Sequence, residues 1–547
     1  MSLESTGGFR SRSRRTHTNA AQPQTSTSGG WRSQDSRGQS RRDNASDGEN
    51  RRGNGASQRS QRQSKRGSQS PTANHSNRAR GQQHTRSNHG SHTGYRPGQD
   101  PRLLLNVDIA RAVSFDVIYR VDNESAYANL VLPAMLRQYN LKRRDSAFAT
   151  EITYGCLRNQ GVIDKVLGKC SSRPLADMDP GVRTTLRLGA YQLLYTRVDP
   201  YAAVDSSVRL VEAIGQEHVK GFVNGILRTI SRKAPAQWMK ELEPHGEIAA
   251  KAFRHSHPEW IANSFAKVVG LAELDDVLEA DSLRPIVHLV AHPGEISQEE
   301  LAAITGGDEG KYSPYAVYLP SGDPGQIDAI REGMAGVQDE GSQLIARAVV
   351  EAPLEGKDQG RWLDLCAGPG GKATLMGALA RIDGAHVDAI EIQPHRAQLI
   401  QKAVKDLPVT VITADGREPG VTAGYDRVLV DAPCSGLGAL RRRPEARWRK
   451  QESDIAELSQ LQRELLDSAL KLVRPGGVVI YSTCSPDLRE TREVVDYALA
   501  HHADIVELDA AQLVPGMENT GEYASVQMWP HRHGTDAMFF TALRRQA

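Results

Sequence analysis

A basic tail, an all-α bundle and a doubly wound α/β domain are the multidomain architecture that this 547-residue sequence predicts. Three observations carry that expectation. Residues 1–100 hold almost no large apolar side chains, residues 104–240 place apolar side chains at helical spacing, and after residue 341 short apolar runs alternate with helical stretches.

The tail comes first. Residues 1–100 are Ser, Arg, Gly, Gln and Asn, and they bury too little apolar surface to offset the entropy of ordering, so the segment reads as disordered. They carry 18 Lys and Arg against 6 Asp and Glu, whereas the remaining 447 residues carry 50 against 60. A basic arm on a mildly acidic body points to a polyanionic partner, most simply a nucleic acid, and a solubilising tail is the plain alternative.

Within 104–240, "IARAVSFDVIYRV" puts Val113, Val117, Ile118 and Val121 on one face, and "LRLGAYQLLYTRV" does so with Leu186, Ala190, Leu193 and Leu194. Strand-like alternation is scarce, which predicts an all-helical bundle. Residues 241–340 are mixed: "HPEWIANSFAKVV" has helical spacing, while "PIVHLVAHP" and "YAVYLP" read as short strands of a small α+β module. From 341 to 547 the sequence supplies seven strands ("RWLDL", "HVDAIEI", "VTVITAD", "YDRVLVDAP", "VVIYSTCS", "DIVEL", "AMFFTAL") separated by helical segments, with "RPGG" as a turn. That alternation predicts a parallel sheet.

The five cysteines, Cys156, Cys170, Cys366, Cys434 and Cys484, are odd in number and none has CxxC spacing, so neither a disulfide framework nor a metal site is expected. Reduced thiols in a cytoplasmic protein are. No apolar run is long enough to span a bilayer, and the first thirty residues lack an apolar signal core.

The chemistry concentrates in the last region. "DLCAGPGGK" (364–372) follows a strand and opens a helix, where glycines admit a ligand close to the backbone and the helix start offers free N–H groups. It is not a Walker A loop, which would need Gly at 366 and Ser or Thr at 373, where Cys366 and Ala373 stand; nor is it GxGxxG. A nucleoside cofactor without pyrophosphate fits better. Glu391, Asp415 and Asp431 end the second, third and fourth strands, with Glu391 suited to ribose hydroxyls and Asp415 to an adenine amino group. One acid at a strand end is usually a cap, but three in succession behind a glycine loop point to S-adenosylmethionine.

Cys434 ends one strand and Cys484 the strand that follows it in sequence, so adjacent parallel strands would bring both thiols to one crevice. A lone buried cysteine is usually structural. Two beside a cofactor loop suit methyl transfer to carbon 5 of a pyrimidine. That carbon becomes nucleophilic only once a thiolate has added to carbon 6, whereas transfer to nitrogen or oxygen needs no cysteine.

"CAGPGGK", "VDAPCSGLGALRRRPEARWR" and "RPGGVVIYSTCS" resemble the signature motifs of the Sun-type RNA 5-methylcytosine methyltransferases. "RAVSFDVIYRV", "ITYGCLRN", "LGAYQLLYTRV" and "GFVNGILRTISR" resemble the NusB-like RNA-binding domain. Their order is similar to that of bacterial enzymes acting on small-subunit (16S) ribosomal RNA. The resemblance covers 105–545 and implies a Rossmann-like class I methyltransferase domain over 341–547, a NusB-like domain over 104–240 and a connecting module over 241–340.

By the same resemblance Cys484 is the nucleophile and Cys434 assists product release. Cys366, Ala367, Gly368, Pro369, Gly370, Gly371, Lys372, Glu391, Asp415 and Asp431 hold S-adenosylmethionine. Lys372 and Asp431 also face the target base, and Arg441–Arg443 with Arg447 contact RNA phosphate. Small-subunit ribosomal RNA is the expected partner of a monomer with no membrane association. The rival readings are the same chemistry on transfer RNA and a non-catalytic NusB-like RNA-binding factor. A nitrogen methyltransferase is disfavoured because its fourth-strand motif would end in Pro-Pro-Tyr or Pro-Pro-Phe where this chain has "DAPC".

Overall fold

Asp108, Asp179 and Asp199 each cap the start of a helix with a side-chain oxygen, and Pro180 and Pro200 occupy first helical positions. These signals divide the helical region of the computed structural model, which describes residues 95–547. The expected tail lies outside the described residues up to position 94. Tyr95 is already part of the bundle, buried with its hydroxyl donating to Asp116 at 2.8 Å.

Among the described residues, eight α-helices run from Ile109–Glu124 to Pro235–Leu242. Val113, Val117, Ile118, Val121, Leu186 and Ala190 are buried in their shared core, and Leu193 and Leu194 pack at its half-buried edge. Helices Glu247–Arg254 and Glu259–Ser282 lead into a small antiparallel sheet of β1 (Val287–Ala291), β2 (Asp308–Glu309), β3 (Ala316–Leu319) and β4 (Ala335–Val337), ordered β2-β3-β1-β4. β1 and β3 are the two expected strands, and β2 and β4 are too short to leave a sequence pattern.

The third region contains all seven expected strands: β5 (Arg361–Asp364), β6 (His386–Ile390), β7 (Val409–Ile412), β8 (Tyr425–Asp431), β9 (Val473–Thr483), β10 (Ile505–Leu508) and β12 (Phe539–Arg545). An eighth, β11 (Val526–Gln527), pairs only with β12, and the full order is β10-β12-β9-β8-β5-β6-β7. β9, β8, β5, β6 and β7 are mutually parallel, but β12 lies antiparallel between β9 and β10. The all-parallel expectation is corrected there. Between β10 and β12 the chain has only a 3-10 turn (Ala510–Leu513), β11 and a four-residue helix (Pro530–His533), no crossover helix long enough to return it parallel. "RPGG" is not a free turn either; it lies within an irregular start of β9, with Gly476 at φ 76°.

Alternation along β8 sends Leu429 into one apolar layer with Trp362, Val387, Ile480 and Phe540, and Val428 and Val430 into the other with Val479 and Tyr481. The chain leaves β5 toward β6 and β7, then returns on the other side to form β8 and β9. A crevice therefore opens beyond the carboxyl ends of β5 and β8. No helix among the described residues is long and apolar enough to cross a membrane.

Candidate active site

The loop after β5 lies across the sheet's carboxyl edge. Leu365 N–H bonds to the Leu429 carbonyl at 2.9 Å and Ala367 N–H to the Ile390 carbonyl at 2.8 Å, so the loop leans on both neighbouring strands. Ala367 and Gly370 are buried, Cys366 and Gly368 partly buried and Pro369 exposed. Gly370 has φ 117°, a left-handed conformation that favours glycine, and the helix Gly371–Asp383 starts without a side-chain cap. A Cβ at Gly368 would sit 1.9 Å from Glu391 Oε2 and 2.7 Å from Arg396 Nη2, so the ends of both side chains would have to move aside.

The acids take different positions. Glu391, immediately after β6, is buried; its Oε1 accepts from Gln393 N–H at 2.8 Å, while Oε2 has only Arg396 Nη1 at 3.5 Å. Asp415 stands three residues beyond β7, with its carboxylate engaged by Arg417 at 2.7 Å; this hydrogen bonding holds it below the usual carboxylate range. Asp431 accepts from Lys372 Nζ at 2.8 Å through one oxygen and from Ser482 Oγ at 3.0 Å through the other. Burial works against the Lys372 ammonium, but the charge and hydrogen bond of Asp431 outweigh it and hold its pKa above the ordinary value.

Asp364, the last residue of β5, was not among the expected site residues. It is fully buried, its Oδ1 accepts from Cys366 N–H at 3.3 Å, and its Oδ2 has no partner. Burial first, and then the charge of Asp431, push it up to about 7. Burial and the nearby carboxylates also push the Cys366 thiol well up, so that residue stays a neutral thiol.

Pairing of β8 with β9, in the register Asp431 opposite Ser482, brings the two strand-end cysteines together. Cys434 Sγ and Cys484 Sγ are 3.3 Å apart, both partly exposed. The pair is asymmetric. The hydrogen bond from Cys434 lowers the Cys484 pKa against its burial, and Lys372 and Arg443 add positive charge on that side. Cys434 is pushed well above the usual thiol range, first as the hydrogen-bond donor, then by burial and by the charges of Cys484, Glu490 and Asp431. Negative charge on the pair therefore settles on Cys484.

Fully buried Glu490, not foreseen from the sequence, fixes the turns that follow both cysteines. Its carboxylate accepts from Ser435 N–H at 2.7 Å and from the Ser435 hydroxyl, which also reaches Ser485 Oγ at 3.1 Å. Gln462 donates to the same carboxylate at 3.1 Å.

The arginine run is corrected in part. Arg441 is buried and binds Asp536 at 2.6 Å; Arg442 binds Asp339 at 2.7 Å and Asp536 at 2.9 Å. Arg447 is fully buried, with Nη2 2.6 Å from the Asp281 carbonyl and 3.3 Å from Asp281 Oδ2. These three join the last region to the preceding module, with Arg441 and Arg447 buried away from phosphate and the partly exposed Arg442 neutralised by two carboxylates. Arg443 alone of the four is exposed. The arm continues with Trp448, whose indole N–H donates to the Leu157 carbonyl of the helical bundle at 3.0 Å.

A family model described as 16S rRNA methyltransferase RsmB/F matches residues 351–544, and the NusB family model matches 108–232. A Mycobacterium tuberculosis protein named as a methyltransferase is 52% identical over 445 residues, covering 80% of this chain and 97% of that one. The ribosomal RNA small subunit methyltransferase B of Cronobacter sakazakii is 32% identical over 423 residues, covering 75% of this chain and 94% of that one. The chain belongs to the RsmB/F methyltransferase family. The crystal structure of PH0851 matches with a TM-score of 0.69 at 24% identity, over 80% of this chain and 98% of that chain, which shows the shared fold.

As an RsmB/F protein it is an RNA methyltransferase that uses S-adenosylmethionine. The crevice fits that cofactor on its own chemistry. Glu391 Oε2 retains acceptor capacity beside Gly368, Asp364 Oδ2 is a buried acceptor without a partner, and the helix at Gly371 leaves its first N–H groups open.

Proposed function

We propose that this RsmB/F methyltransferase forms 5-methylcytosine in small-subunit (16S) ribosomal RNA through a covalent adduct of Cys484 with the target base. The observation that carries the reading is the thiol pair, 3.3 Å apart beside the Lys372–Asp431 ion pair at the ends of adjacent parallel strands. The names of its relatives as ribosomal RNA small subunit methyltransferases support the substrate. The helical region, 104–240, would bind RNA, the module 241–340 would connect, and 341–547 would carry catalysis in a cytoplasmic monomer.

When bound, S-adenosylmethionine supplies an electrophilic methyl group. Glu391 is placed for its ribose hydroxyls, Asp415 for the adenine edge and residues 366–372 for the approach of its backbone; Asp364 Oδ2 offers an acceptor for its ammonium. The target cytosine must leave its stack, at a cost of roughly a few kcal/mol. The Cys484 thiolate would add to carbon 6, and the ring electrons would move to carbon 5, which would take the methyl group as its bond to the cofactor's sulfonium sulfur breaks to leave a neutral thioether. Loss of the carbon-5 proton then restores the double bond as the Cys484–carbon 6 bond breaks. Lys372 and Asp431 face the base and hold charge and proton at its polar edge. Cys434 assists the release step by donating its S–H hydrogen bond to the departing Cys484 thiolate, while the carbon-5 proton passes to water.

The test is a denaturing protein gel of Cys434→Ala incubated with small-subunit ribosomal RNA and S-adenosylmethionine. A slow, RNA-linked band that vanishes when Cys484→Ala is added supports the assignment. Methyl transfer that survives the loss of Cys484 overturns it.

A further inference from the structure

We propose that Tyr127, on the helical bundle, is a stacking platform for an unpaired RNA base flanking the target cytosine, with Arg443 as its phosphate contact. The proposal rests on the RNA-methylating reading above and adds a positioning residue from outside the catalytic region.

Tyr127 is 49% exposed, and it stands apart from the apolar core that the other bundle residues share. Two guanidinium groups of the same arm lie over its ring, Arg443 Cζ at 5.6 Å and Arg449 Cζ at 5.8 Å from the centroid. The arm also fixes the backbone on either side of it. Glu445 Oε1 accepts from the buried Ala128 N–H at 3.2 Å, and Arg449 Nη2 donates to the Ala126 carbonyl at 2.7 Å and to the Val121 carbonyl. The ring is thus placed by the same arm that carries the catalytic loop.

That arm begins at the thiols. Gly438 N–H bonds to the Cys484 carbonyl at 2.9 Å, and Arg443 follows five residues later, near enough for its charge to act on the Cys484 thiol. Among the described residues, Arg443 has no carboxylate partner, in contrast to Arg441, Arg442 and Arg447. A half-exposed tyrosine ring with an unneutralised guanidinium over it suits one kind of ligand: a single-stranded nucleotide, its base against the ring and its phosphate on the arginine. Such a contact has a purpose here. Turning a cytosine out of the stack strips its neighbours of stacking, and a platform at the rim restores part of that loss.

The experiment uses the full chain and a transcript of small-subunit ribosomal RNA. KM and kcat for methyl transfer, transcript affinity across a salt series, S-adenosylmethionine affinity and Tm are measured for Tyr127→Ala, Tyr127→Leu, Tyr127→Phe and Arg443→Ala. The expected result is a rise of about tenfold in KM for RNA in Tyr127→Ala and Tyr127→Leu, the size of one lost base stack. Tyr127→Phe should retain the wild-type KM, with cofactor affinity and Tm unmoved throughout. Arg443→Ala should reduce the slope of log affinity against log salt by about one. KM unchanged in the Ala and Leu variants, or an equal loss in Tyr127→Phe, overturns the platform while the wild-type activity on RNA keeps the main reading. A wild-type protein that methylates no RNA overturns both.

Discussion

Replacing Arg447 with Met should destabilise the protein strongly at about pH 8 and clearly less at about pH 5.5. Arg447 is fully buried, and Asp281, which it neutralises, is 2% exposed. Its other contacts are the Ser256 carbonyl at 3.4 Å and Ser282 Oγ at 3.3 Å. Removing one partner of a buried ion pair costs about 3–5 kcal/mol, because the other charge stays in place unpaired. Here the remaining partner is His257, whose Nε2 lies 2.9 Å from Asp281 Oδ2. Burial first and the charge of Arg447 second pull His257 down to about 4, so it is neutral at neutral pH. A base depressed below its unfolded value binds its proton more readily when unfolded. Its stabilising effect is therefore present above pH ~6.5 and is lost as pH falls toward ~4, a span of about 3 kcal/mol. Without Arg447 the repulsion is gone, His257 takes a proton at higher pH, and the imidazolium neutralises Asp281 in its place. Each unit of upward shift recovers about 1.4 kcal/mol at acidic pH. Urea denaturation of wild type and variant at both pH values reads the difference directly. An equal loss at the two pH values would refute the reasoning, as would a variant of wild-type stability at about pH 8.

Cys434→Ala should raise the Cys484 pKa by removing its S–H donor, so the midpoint of iodoacetamide alkylation at Cys484 moves to higher pH in the absence of RNA; an unmoved midpoint counts against the donor assignment. Lys372→Met should lower methyl transfer by about tenfold or more at neutral pH, since one unit of pKa rise at the thiol cuts the thiolate about tenfold, and the pH–rate profile should shift alkaline. Gly368→Ala should weaken S-adenosylmethionine binding by more than about tenfold, over 1.4 kcal/mol, by equilibrium titration, because its Cβ collides with Glu391; Tm should hardly change.

The strands were legible because apolar runs bounded by glycine and acid mark them, and the thiol pair was legible because both cysteines end consecutive strands. The position of β12 was not, since strand order depends on how the 509–538 connection returns, and no local pattern records that. Arg441, Arg442 and Arg447 read as a cationic patch because their carboxylates, Asp339, Asp536 and Asp281, lie 94 or more positions away in the chain. Asp364 stood in the quoted loop, but its significance is its burial and its empty Oδ2, which residue type alone does not reveal. Glu490 has no sequence signal, because its partners Ser435 and Gln462 come from other elements.

The place of β12 between β9 and β10 also orders events during synthesis. β10 leaves the ribosome before β12, its one partner among the described residues, exists, and β9, which leads to Cys484, has one bare edge until Phe539–Arg545 arrives. An unpaired strand edge is a template for wrong pairing. A nascent chain stalled before Phe539 would therefore hold Cys484 at the end of an open edge, so the crevice is finished by a strand made after the loops that line it rather than by those loops.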